Sequence, residues 1–205
     1  MQIEGEAVYT DSSGNRHSIE GIGTLPDMPL QSLSVSGSFS FNKLSCDNLK
    51  VEGECNGKSI VAKKIYGEGT FEVDSLETEK FKFSGSADIE KIVAKEVLME
   101  SRESSINVIK CYKLKIFHEE INEVGSSILA RIFGGKVSHH KNSRVQIKTI
   151  EADTVHLENC AVVEIKCKDA FIGSNCAVEK LFVAGECKVA DNSTVGETIR
   201  TQSDS

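Results

Sequence analysis

The chain has 205 residues, 39% apolar and 27% charged, enough to bury a core and to exclude wholesale disorder. Its net charge is −7, with 31 acidic against 24 basic residues, which argues against nucleic acid as a partner because phosphate-backbone binding runs on a basic patch. Only 6% of residues are aromatic and Trp is absent, so the core must rest on Val, Ile and Leu, which suit layered strands.

The start, Met1-Gln2-Ile3-Glu4-Gly5-Glu6, has neither the basic nor the apolar region of a signal peptide. No apolar run approaches the ~20 residues of a membrane-spanning helix, so the expectation is a cytoplasmic protein with peripheral membrane contact at most. Residues 1–22 come first. Asp11-Ser12-Ser13-Gly14-Asn15 is a turn cluster between Ile3–Thr10 and Arg16–Ile22, and predicts an N-terminal capping β-hairpin.

From there the chain repeats itself. Gly5, Gly21, Gly37, Gly53, Gly69 and Gly85 are each sixteen residues apart, and Ser101 continues the series. Flanking positions repeat with them: Leu33, Leu49, Ile65, Phe81 and Val97 four residues before, and Met28, Leu44, Ile60, Leu76 and Ile92 seven after. Leu49-Lys50-Val51, Phe39-Ser40-Phe41 and Ile60-Val61-Ala62 are short alternating pieces, each a strand with one buried face. Three such pieces per unit, separated by Gly, Asn, Asp, Ser and Lys, describe one coil of a three-sided parallel β-solenoid. The expected fold is therefore all-β and single-domain, with a solenoid over 23–199 and a polar tail at 200–205. Its inner ladders would hold Leu33, Leu49, Ile65, Phe81 and Val97, and Leu44, Ile60, Leu76 and Ile92.

Between 102 and 148 the repeat is looser. Ile128-Leu129-Ala130 echoes Ile92-Val93-Ala94, whereas Ile121, Val124, Ile128 and Ile132 also fit a short helix over 118–133. The sixteen-residue spacing then returns in Val155, Phe171 and Cys187, in Ile165 and Leu181, in Cys167 and Val183, in Val162 and Val178, and in Cys160 and Cys176. The seven cysteines include no C-x-x-C, so the common zinc and redox spacings are absent. Cys167 and Cys187 are expected to replace Val in the inner ladders. Cys160 and Cys176, one coil apart, are within disulfide reach at ~5 Å between Cα atoms; a reduced stacked pair is the alternative. His139-His140 with His118 and His156 suggest a metal site, but the pair reads instead as solvent-facing histidines on a coil corner between Ser138 and Lys141, because no carboxylate or Cys recurs with them at ligand spacing. No metal or other cofactor is expected.

Val155-His156-Leu157-Glu158-Asn159-Cys160, then Val163-Glu164-Ile165, then Phe171-Ile172-Gly173-Ser174-Asn175-Cys176-Ala177-Val178 resembles the C-terminal half of the bactofilin-like polymer-forming cytoskeletal proteins of bacteria, of the Gram-positive type. The units from Val35 to Ser101 are similar to that family's tandem rungs, and the resemblance covers about 19–199. It implies a right-handed β-helix that assembles with itself into nucleotide-independent filaments. It also implies a non-enzymatic scaffold recruiting bacterial partner proteins in cell shape, polarity or motility. A β-helix binding module of the division-inhibitor type is the alternative. A carbohydrate-active or acyl-transfer enzyme fits less well: sixteen is not a multiple of the acyltransferase hexad, and short corners leave little room for a pocket. The last coil carries Phe182, Val183, Cys187, Val189, Val195 and Ile199 with nothing after it to cover its edge, which marks it as the expected self-assembly surface.

Overall fold

A computed structural model describes residues 2–22, 29–117 and 144–201. The expected helix or strand over 118–133, the echo at 128–130, His118, His139, His140 and Met28 lie outside the described residues. The described chain is all-β, a solenoid rather than a barrel. Strands β1 (Gln2–Asp11) and β2 (Arg16–Glu20) form a hairpin, and β3 (Leu30–Phe117) runs unbroken for 88 residues. At sixteen residues a coil, the 88 residues of β3 make five full coils and half of a sixth. Strands β4 (Val145–Leu157), β5 (Cys160–Ile172), β6 (Ala177–Val183), β7 (Cys187–Val189) and β8 (Thr194–Arg200) carry the winding on. Each lies parallel to the rung before it: Ser104 beside Val145, Val145 beside Cys160, Ala161 beside Ala177, Ala177 beside Thr194. Strand β1 breaks the pattern, lying antiparallel on the first coil from Gln2 beside Ser40 to Asp11 beside Leu30.

The sixteen-residue spacing produces ladders because equivalent residues stack at the strand spacing of ~4.8 Å. Leu33, Leu49, Ile65, Phe81 and Val97 are all buried, as are Leu44, Ile60, Leu76 and Ile92. Each fully buried Leu, Ile or Phe contributes roughly 1.5–3 kcal/mol, so nearly every rung adds hydrophobic stabilisation of its own. Phe71, Phe81 and Phe83 form a cluster with ring centroids 5.0–6.1 Å apart. Gly67 makes room for it, since a Cβ there would sit 2.7 Å from the Phe71 ring and 3.0 Å from Phe83.

The repeated glycines stack at one corner. Gly37, Gly53, Gly69 and Gly85 share a narrow band of φ, from +119° to +135°. A Cβ on Gly69 would lie 2.9 Å from the carbonyl carbon of Gly53 and closer still to its oxygen, so backbone touches backbone from rung to rung. The stack ends at Ser101, whose hydroxyl donates to the Gly85 carbonyl at 2.8 Å. In the C-terminal rungs, Asn159 (φ 55°) and Asn175 (φ 56°) take the left-handed corner, a conformation Asn tolerates better than most residues.

Two sequence expectations need correction. Val155, Phe171 and Cys187 do not share a ladder: Val155 stacks on Ala170, and Ala170 on Cys187. The coil from Val155 is fifteen residues long and the next is seventeen. A one-residue slip turns a side chain to the other face of a strand, so Phe171 stands 43% exposed between His156 and Lys188. Cys167 and Cys187 are only partly buried, packing against the edge of the core rather than within it. Lys166 and Lys188, on the adjacent positions, face solvent.

Candidate functional site

The two ends of the solenoid differ, and the difference begins with the chain's own edges. At the C-terminal end, β8 pairs with β6 and β7 pairs with β5, and among the described residues no strand lies on the far side of either. The six residues expected there divide into two layers. Val183 is fully buried beneath Arg200, and its carbonyl accepts a hydrogen bond from the Thr201 N–H at 3.1 Å. Phe182 lies beside Ile199 with the Lys166 ammonium 5.6 Å from its ring centre. These two belong to the rung underneath. Cys187, Val189, Val195 and Ile199 form the outermost layer; Val189 is 43% exposed and the other three are half-buried.

The N-terminal end is closed by the hairpin. Asp11 organises its turn, accepting hydrogen bonds from the Ser13 and Asn15 N–H groups at 2.9 and 3.0 Å and from the Asn15 amide at 3.2 Å. His17 Nε2 lies 3.1 Å from the carboxylate oxygen that takes the Asn15 amide, and its ring stacks on Tyr9 at 4.6 Å. The bond to His17, then that from the Asn15 backbone, holds the Asp11 carboxyl down at about 2, against an ordinary 3.8. Strand β2 presents the outer edge, and Arg16, His17, Ser18 and Glu20 on it are all exposed. Such a charged, short edge discourages further strand pairing.

A groove of about 850 Å³ runs along the flank. Its floor is a ladder of small side chains, Cys46, Ala62, Thr78, Ala94, Cys111 and Ala152, one per rung. Its rims carry exposed Val61 and Tyr112 among charges that pair between neighbouring rungs: Lys63 with Asp47 and Lys95 with Glu79, both at 2.9 Å, and Lys110 with Glu151 at 2.6 Å. Lys63 and Lys95 each have their carboxylate one rung away. The near-sixteen-residue recurrence of Cys, Ala, Thr and Ala was the available signal for the groove, carried by side-chain volume rather than polarity. Burial, with Asp47 and Asp153 adding to it, pushes the Cys46 and Cys111 thiols up to about 12. Both stay protonated at neutral pH.

The remaining candidates are a histidine and a thiol pair. His156 sits against the edge of the Phe171 ring, 4.5 Å between centroids, with Glu158 3.5 Å away. Among the described residues no three His, Cys, Asp or Glu side chains converge as a metal site would require. Cys160 and Cys176 occupy adjacent rungs at the Asn corners and are both buried. No helix of the described residues is long and apolar enough to cross a membrane.

Among the described residues these features define a β-solenoid with a hairpin over one end, an uncovered strand edge at the other and a flanking groove. No family model matches the sequence, and no curated protein or solved structure matches it either.

Proposed function

We propose that this protein is a non-enzymatic, self-assembling scaffold of the bactofilin-like kind, right-handed and cytoplasmic, that recruits partner proteins in cell shape, polarity or motility. The observation that carries the reading is the outer edge of β7 and β8, which no strand pairs among the described residues. There, backbone donors and acceptors stand beside Val189, Val195 and Ile199. A strand edge of this kind is a template for pairing, and a second copy supplies matching rungs. The tubular shape supports the same reading, because it displays long, regular faces at fixed spacing.

A second reading has its own support. The charged hairpin over the N-terminal end disfavours head-to-tail growth, so association through C-terminal ends alone would stop at two rods. That is the geometry of a dimeric binding module of the division-inhibitor type. Electron microscopy of the purified protein without nucleotide separates the two. Filaments support the scaffold, discrete rods of doubled length support the binding module, and single rods at high concentration overturn both.

A further inference from the structure

We propose that Cys160 and Cys176 are a peroxide-responsive thiol pair that closes into a disulfide across two adjacent rungs. The inference is independent of self-assembly and rests on the corner geometry. Each cysteine follows a left-handed Asn, Asn159 with φ 55° and Asn175 with φ 56°, so the two corners share a main-chain shape. The Asn175 amide donates to the Asn159 side-chain oxygen at 2.5 Å, which holds the corners in register. Arg144, from the corner below, donates to Asn175 Oδ1 at 2.7 Å. Strands β5 and β6 pair from the next residue on, Ala161 beside Ala177 and Val162 beside Val178. The two Cα atoms therefore sit one strand spacing apart, ~4.8 Å, inside the range that disulfides span.

Both thiols point the same way. Cys160 Sγ lies 3.2 Å from the Glu158 carbonyl and Cys176 Sγ 3.6 Å from the Ser174 carbonyl, the same two-residue step back in each rung. Contact with Cys160 holds the Cys176 thiol below its ordinary value, with the Arg144 charge helping. Cys160 is driven the other way by that contact and by burial. The pair thus sets a thiol eased toward ionisation beside one held protonated, the order in which a resolving reaction runs. Exposure follows the same order: Cys176 is 3% exposed and Cys160 0%.

The chemistry balances in two steps. The Cys176 thiolate attacks hydrogen peroxide, its sulfur takes one oxygen to become the sulfenic acid, and water leaves once a proton is supplied. The Cys160 sulfur then attacks that sulfur, the S–S bond forms, and the hydroxyl departs with the Cys160 proton as a second water. Two thiols are oxidised and one peroxide is reduced to two waters.

The test treats the full chain with hydrogen peroxide, alkylates the remaining thiols and maps peptides by mass spectrometry. The expected result is a fall from seven free thiols to five, with one cross-link joining Cys160 to Cys176 and reversed by dithiothreitol. Hydrogen exchange should slow in β6 in the oxidised form. In Cys160→Ser, Cys176 should stop at a sulfenic acid that dimedone traps. Seven alkylatable thiols after peroxide would overturn the proposal. So would a cross-link between Cys167 and Cys187 instead, or over-oxidation of Cys176 in the wild-type chain without a cross-link. Should Cys160→Ser fail to fold, the wild-type map decides alone.

Discussion

Replacing Gly69 by Ala tests the stacked corner directly. The residue has φ +119°, a region essentially reserved for Gly, and forcing a side chain there costs about 1–3 kcal/mol. The added Cβ would also meet the Gly53 carbonyl carbon at 2.9 Å, where ordinary contact begins at 3.4 Å, and the oxygen is nearer still. Relieving this requires the two rungs to part by on the order of 1 Å, which stretches hydrogen bonds of ~2.9 Å well past their useful range. Losing one or two of them in a buried ladder adds about 1–3 kcal/mol. The expected total is roughly 2–6 kcal/mol. Gly14→Ala is the control: φ is +85°, but nothing lies within 4 Å of the added atom, so only the conformational cost of about 1–2 kcal/mol remains. Urea unfolding followed by circular dichroism reads both. If Gly69→Ala is no more destabilised than Gly14→Ala, backbone contact between rungs is not what requires the glycine.

Ile60→Asp should abolish cooperative unfolding, since a carboxylate at a fully buried ladder position costs several kcal/mol; a wild-type melt would remove Ile60 from the core. Phe81→Ala should cost about 3–5 kcal/mol and Phe171→Ala less than about 1 kcal/mol, and equal losses in chemical denaturation would contradict the fifteen-residue coil. Val189→Arg should block association seen by light scattering while leaving the circular dichroism spectrum unchanged; undiminished association places the contact elsewhere. Asp11 has a depressed carboxyl in the folded hairpin, so its contribution is complete above about 3.8 and fades as pH falls toward about 2. Hydrogen exchange in β1 and β2 should accelerate across that window in the wild type, and Asp11→Asn should flatten the response.

The inner ladders were legible because a strand buries alternate residues and a coil repeats them at constant spacing. Leu49, Ile65 and Phe81 announce themselves on both counts. The outward turn of Phe171 was not legible. Both Ala170 and Phe171 are apolar, and coil length is set at the corners, where only two residues join β4 to β5 but four join β5 to β6. Hydrogen-bond register, not apolar spacing, decides between them. The assembly surface was half legible: the apolar residues of the last coils are visible in sequence, but their layering is not. Val183 lies under Arg200 because β8 covers β6, a fact of pairing that no local pattern carries.

The fifteen-residue coil after Val155 and the seventeen-residue coil after Ala170 together span two standard coils. They behave like a frameshift and its suppressor. A residue missing from one turn is restored in the next, and only the segment between is read out of frame. Phe171 is displaced while Cys187 returns to the original phase. Phase in this fold is thus kept by each rung's bonds to its neighbour. Single-residue insertions and deletions in this lineage should accordingly be found in pairs, one coil apart, wherever the surface beyond them has to keep its face.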